Sequence, residues 1–176
     1  MRRLINPKTP LYKNIKRLML SYEFTWNFYN ECCVDMKDTD VTSGHRNFSF
    51  FSNVILARPG TNGLKYPVSH FEHSDSIVDM LDEIWDYNNI NVNCIFRINA
   101  NLVYPQSGIQ ASPIHTDHEF PHKNLLIYLT DAGGKTVCGE DEHNPQEDDI
   151  IEFGGFKHYY YLPLEKPRVV LVATYF

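Results

Sequence analysis

The sequence predicts a mainly β fold with flanking helices (α+β), and three observations carry that reading. After Asn88-Asn89 the chain breaks into short apolar runs rich in β-branched and aromatic residues. Turn residues such as Gly133-Gly134 and Gly154-Gly155 separate those runs, the pattern of a sandwich or barrel. Ahead of them, Ser74 to Trp85 has the periodicity of a helix instead. A length of 176 residues fits one domain, with 1–90 as supporting helices and strands and 91–176 as the barrel core.

Thr9-Pro10 opens the first helix, with Thr9 as N-cap, Pro10 in the first turn and Leu11, Ile15 and Leu18 on one face. Tyr22, Phe24, Trp26 and Phe28 alternate with Glu23, Thr25 and Asn27, the period of a half-buried strand. Residues 30–47 are polar and read as a loop; Phe48 to Leu56 reads as a strand, and Ala57 to His70, with its Pro and Gly residues, as a long loop. In the second helix Ile77, Met80, Leu81, Ile84 and Trp85 fall on one stripe, and Ser74 can cap it. Strands are then expected at 91–104, 113–118, 124–130, 135–139, 149–153, 158–162 and 168–176.

Composition narrows the classes. No apolar run approaches the ~18 residues of a membrane span, so no membrane partner is expected. Met1 to Lys8 is basic without an apolar stretch behind it, unlike a secretory signal. Cys32, Cys33, Cys94 and Cys138 form no C-x-x-C pair, which suits reduced thiols in an intracellular, cytoplasmic protein. A net charge of −6 weighs against nucleic acid as a partner, because phosphate binding draws on an excess of Lys and Arg.

The chemistry concentrates in the β-rich half. On a strand, His115 and Asp117 of Ile114-His-Thr-Asp117 point to one face and can converge on one point. A distant histidine would complete two imidazoles and a carboxylate on one side of a metal, leaving positions open for a co-substrate and O2, as in Fe(II) oxygenases. Alone, H-x-D is weak, and a surface loop is the plain alternative. His158 follows a Gly-Gly turn, and ten residues on Arg168 opens an apolar terminal run where a long cation can reach inward and fork onto a carboxylate.

The order H-x-D, about forty residues, His, ten residues, Arg, then a β run resembles the 2-oxoglutarate/Fe(II) dioxygenases of the prolyl-hydroxylase-like group. Asn101-Leu-Val-Tyr104-Pro-Gln-Ser-Gly, Leu126-Ile-Tyr128-Leu-Thr, Gly133-Gly134-Lys-Thr136 and the final Tyr175-Phe176 extend the resemblance over roughly residues 92–176. It implies a double-stranded β-helix, that is, a jelly-roll or cupin-like barrel. It implies iron on His115, Asp117 and His158, and 2-oxoglutarate anchored by Arg168 with help from Tyr128, with Tyr104 near the co-substrate. Fe(II), 2-oxoglutarate and O2 follow as cofactors, with ascorbate a candidate reductant, for hydroxylation of a prolyl/peptidyl or small-molecule C–H bond. Tyr159-Tyr160-Tyr161 is bulkier than that group leads one to expect. Two rival readings stand beside it: a non-catalytic metal- or acid-binding β-barrel, and a dioxygenase that demethylates nucleic acid, which calls for a basic groove.

His118 neighbours Asp117 and is expected to face away from the metal or to support it. His45, His70, His73 and His143, and the acidic runs at 140–142 and 147–149, read as solvated. The 106–113 segment and the 59–67 loop are the expected covers of the site.

Overall fold

The computed structural model describes residues 1–30, 48–60, 63–69 and 71–176; most of the expected 30–47 loop, with Cys32, Cys33 and His45, and also His70, lies outside the described residues. In chain order the elements are β1 (Arg2–Leu4), α1 (Pro10–Met19), β2 (Asn27–Tyr29), β3 (Phe50–Ala57), β4 (Val68–Ser69), α2 (Ser74–Tyr87), β5 (Ile95–Val103), β6 (Lys123–Tyr128), β7 (Thr136–Cys138), β8 (Asp141–His143), β9 (Ile150–Gly154), β10 (His158–Tyr160) and β11 (Arg168–Tyr175). Seven strands form one path, β1-β9-β6-β11-β5-β3-β2, with β4 added to β3; β10-β7-β8 is a second, smaller sheet. The pairing is antiparallel, and the two sheets pack face to face without closing, among the described residues, by hydrogen bonds into a cylinder.

Alternation gives the large sheet two different faces. Ile98, Ala100 and Leu102 of β5, Val169, Leu171 and Ala173 of β11 and Leu125 and Ile127 of β6 join one aliphatic core with the helices. Into it α2 delivers all five stripe residues, and Trp85 packs 5.0 Å from the Tyr175 ring. α1 buries Tyr12, Ile15 and Met19, so its inner face is rotated from the expected one, with Leu11 and Leu18 only partly buried. Thr9 caps α1 as expected, its Oγ1 accepting from the Tyr12 amide at 3.1 Å. α2 is not capped by Ser74: the N-cap is His73, with no side-chain bond, and the Ser74 hydroxyl accepts from Ser69 at 2.6 Å. The opposite face of the large sheet meets the small sheet through Leu126, Tyr128, Cys138, Ile151, Phe153 and Val170.

Two expected strands are corrected. Of residues 22–28 only Asn27 and Phe28 enter β2, and the alternation misjudged burial: Phe24 is buried against Trp26 and Phe71, while Tyr22 is 96% exposed. The 113–118 segment makes one isolated bridge only, His115 with His158, preceded by another of Ala111 with Tyr161. Pro113 has no amide hydrogen to give a ladder there. Conversely, β1, β4 and β8 are short strands that no local pattern announced, and β8 lies partly in an acidic run read as solvated. His143, at its end, is buried with Nε2 3.1 Å from Asp149, and its ring lies 5.4 Å from that of Tyr128. Burial pushes its imidazolium pKa down.

Candidate metal centre

His115 and His158 are locked together by their main chains. The His115 amide donates to the His158 carbonyl at 3.0 Å, and the His158 amide returns the bond at 2.9 Å. The H-x-D segment thus joins the edge of the small sheet beside β10 without becoming a strand. Each ring is then fixed by its own Nδ1, which faces a carbonyl two residues earlier: Pro113 for His115 and Phe156 for His158, both at 3.0 Å. A carbonyl only accepts, so in the neutral rings Nδ1 carries the proton and Nε2 keeps its lone pair. This is how metal-binding imidazoles are commonly oriented. Ligand atoms of His115, Asp117 and His158 all lie within 4.8 Å of one another.

Asp117 is set by different means. Its Oδ1 accepts from Nη2 of Arg97, and Arg58 Nη1 donates to its main-chain carbonyl at 3.4 Å. Oδ2 lies 3.4 Å from His158 Nε2 and, among the described residues, has no hydrogen-bond partner although it is buried. Burial alone would raise this carboxyl's pKa, but the Arg97 guanidinium and the two imidazoles outweigh it and hold it well below the usual range. Burial, with the His115 ring beside it, pushes His158 down against the pull of Asp117, which keeps its imidazole neutral. An anionic carboxylate beside two imidazoles whose Nδ1 atoms are tied to carbonyls fits a divalent transition metal.

At the far end of the same inward face stands Arg168, 3% exposed at the start of β11. Its Nη2 donates to Thr136 Oγ1 at 3.1 Å, the Tyr128 hydroxyl shares that oxygen at 2.7 Å, and Tyr160 and Tyr128 rings lie 4.3 and 5.3 Å from the guanidinium carbon. Among the described residues no carboxylate comes within 4.0 Å of it, and its buried Nε has no hydrogen-bond partner. A buried cation in such surroundings is costly, and an anion between Arg168 and Tyr128 would offset that cost. Burial raises the Tyr128 pKa, against the pull of Arg168, so the phenol keeps its proton. Gly134 lets the guanidinium lie here: its φ is +80°, and a Cβ would meet the Tyr161 carbonyl at 2.6 Å and Arg168 Cδ at 3.0 Å.

Tyr104 is not brought to this cluster, a correction to the expectation that it lies near the co-substrate. Val103 pairs with Arg168, and the next residue takes the other side of the strand. Tyr104 is accordingly half exposed, its ring edge-on to Phe51, the partner of Leu102. His118 donates to or accepts from Thr174 Oγ1 at 2.7 Å and stacks on Phe120, and burial together with Arg97 lowers its pKa to about 4. The sequence reading missed Arg97. Its signal was the alternation of Arg97, Asn99 and Asn101 with Ile98, Ala100 and Leu102, a polar stripe on a strand placed in the core. A cavity of about 630 Å³ lies between residues 105–110 and 161–164, lined also by Gly134 and Lys135, and no triad side chain lines it.

No family model matches the sequence, and no curated protein is similar to it in sequence. Solved structures do resemble it. An oxidoreductase of the 2OG-Fe(II) oxygenase family from Burkholderia pseudomallei superposes with a TM-score of 0.68 at 18% identity, covering 93% of this chain and 78% of that one. The non-haem α-ketoglutarate-dependent epimerase SnoN from nogalamycin biosynthesis gives a TM-score of 0.57 at 11% identity, over 99% of this chain and 76% of the other. At such identities the likeness is one of architecture: this chain has the double-stranded β-helix fold of the 2-oxoglutarate/Fe(II) oxygenases.

Proposed function

We propose that this chain is an Fe(II)- and 2-oxoglutarate-dependent oxygenase that hydroxylates an unactivated C–H bond of a small molecule or of a prolyl/peptidyl group. The observation that carries the reading is the convergence of His115, Asp117 and His158, with both Nδ1 atoms tied to carbonyls and Asp117 Oδ2 unpartnered. Two imidazoles and one carboxylate leave half of an octahedral metal open, which a closed structural site does not require. Bound iron would supply the oxidation, with O2 consumed and 2-oxoglutarate converted to succinate and CO2.

The chain's own residues do the rest. His115, Asp117 and His158 hold the metal on one side. Arg168 is the candidate for the distal carboxylate of 2-oxoglutarate, because it is a buried guanidinium without a carboxylate of its own among the described residues, and the Tyr128 hydroxyl stands beside it as a further donor. The tyrosine rings and the aliphatic side chains of Val170 and Leu126 exclude water between the sheets.

The test is anaerobic titration with Fe(II) and 2-oxoglutarate, followed by admission of O2 in the presence of ascorbate. A visible charge-transfer band on chelation and slow formation of succinate, even without substrate, are expected. Metal binding without any succinate would favour a non-catalytic binding protein and overturn the oxygenase reading.

A further inference from the structure

The inward face of the large sheet carries polar side chains that neither the triad nor Arg168 uses. Register sets Arg97 of β5, Thr174 of β11, Asn124 of β6 and Phe153 of β9 in one cross-strand row. This row lies at the metal end of the sheet, since Arg97 holds Asp117 and the His158 ring rests 5.1 Å from Phe153. Arg168 is six residues back along β11, at the opposite end. The neighbouring rung on that side is Asn99, Val172, Leu126 and Ile151. His118 lies over the row, bonded to Thr174, with the His122 ring edge-on 4.8 Å away.

Asn124 is wholly buried, yet among the described residues neither its Oδ1 nor its Nδ2 has a partner; Arg97 Nε, Asn99 Oδ1 and His122 Nε2 are buried and unpartnered there as well. Native interiors rarely leave buried donors and acceptors unpaired, and four such atoms on adjoining rungs, with His122 Nε2 as a fifth beside them, mark a place near the metal site that a polar ligand completes. Their chemistry is specific. Arg97 Nε and Asn124 Nδ2 are donors, one of them on a cation. Asn124 Oδ1 and Asn99 Oδ1 are acceptors, and so is His122 Nε2, because its Nδ1 faces the Phe120 carbonyl at 2.7 Å. Gly155 lets that ring in, since a Cβ there would come within 2.3 Å of it.

We infer that the substrate is a free α-amino acid, its carboxylate on Arg97 and Asn124 and its amino group on the acceptors, with its carbon chain at the triad. The inference rests on the oxygenase reading above. An apolar substrate would leave all five atoms unpaired. A residue inside a peptide has neither the carboxylate nor the ammonium, so it matches the donors and acceptors less well. A free head group supplies both within a few bonds.

The experiment uses the intact protein with Fe(II) and 2-oxoglutarate under anaerobic conditions, titrated with free L-amino acids, their N-acetyl amides, and alcohols of matching carbon skeleton. At least one free amino acid is expected to shift the charge-transfer band and, once O2 is admitted, to raise succinate formation tenfold or more, while its capped amide and the alcohol do neither. Asn124→Leu should raise the concentration of that amino acid needed for the shift at least tenfold, and the comparison of free with capped ligands on the unaltered protein stands even if the variant does not fold. A band that forms but responds to no free amino acid, or equally to the capped amide, overturns the inference and leaves the oxygenase reading intact. A band that never forms overturns both.

Discussion

Asp117 is the side chain on which several weak supports meet, and its replacement separates them. Asp117→Ala removes the only anionic ligand of the triad and is expected to weaken Fe(II) binding about a hundredfold, roughly 2.7 kcal/mol, while the far-ultraviolet spectrum stays unchanged. Arg97→Met leaves the ligands in place but frees Oδ1. Losses on the order of 10–100-fold in metal affinity are typical for removing such a support, and isothermal titration with Fe(II) or Co(II) reads them. Arg168→Leu should instead spare the metal and raise the 2-oxoglutarate requirement roughly a hundredfold, about 3 kcal/mol, with Tyr128→Phe acting the same way by about 1 kcal/mol. Unchanged 2-oxoglutarate dependence in the Arg168 variant would sink its role as anchor. These candidates were legible in sequence because chemistry and spacing coincide: H-x-D, a later His, and Arg ten residues on. Arg97 was not, since a cation on a strand usually faces solvent, and only the fold turns this one toward Asp117.

At the scale of elements, α1 docks on the turn before β9 through a small charged cluster. Asp148 accepts from the Tyr12 hydroxyl at 2.6 Å and pairs with Lys16 and Lys8. Burial opposes ionisation of Asp148, but the bonds from Lys16, Tyr12 and Lys8 prevail and lower its pKa to about 2. A carboxylate depressed on folding adds stability above its unfolded pKa of about 4, and that stability is lost as the pH falls through the folded value, some 2 kcal/mol in all. Thermal unfolding followed from about pH 5 to pH 2 should show the loss, and Asp148→Asn should start from a lower Tm and flatten that limb. The helix itself was readable from Thr9-Pro10, but the inward turn of Tyr12 was not, because its partner lies 136 positions away. The same limit explains the short strands. β1, β4 and β8 have two or three residues each and owe their existence to the strands they pair with, β9, β3 and β7. The 22–28 alternation failed for the converse reason: period two suits a half-buried strand but does not make one, and Phe24 and Trp26 pack into an aromatic cluster with Phe71 rather than onto a ladder.

For the whole molecule, metal binding and folding are linked. Fe(II) or Co(II) at a hundred times its dissociation constant should stabilise the native state by about 2.7 kcal/mol. For a chain of this size that is roughly 6–10 °C in Tm, reversed by a chelator and reduced to about 1 °C at the same metal concentration in Asp117→Ala. The second helix and the run of short strands after it were visible in periodicity and turn spacing, whereas the order β1-β9-β6-β11-β5-β3-β2, which draws β1, β2 and β3 of the front half into the large sheet, was not, since strand partners are chosen by packing between distant segments. One feature of that packing sets how the site tolerates change. His115 and His158 are clasped amide to carbonyl in both directions, so their positions belong to the backbone; Asp117 is kept in place, among the described residues, by hydrogen bonds from Arg97 and Arg58. Asp117 is therefore the replaceable member of the set. Shortening it to glycine would empty a seat whose walls stay put, and formate, a carboxylate without a chain, is expected to take that seat and restore part of the lost metal affinity. If formate fails where the clasp is intact by hydrogen exchange at the two histidine amides, the imidazoles need the aspartate to hold their spacing after all.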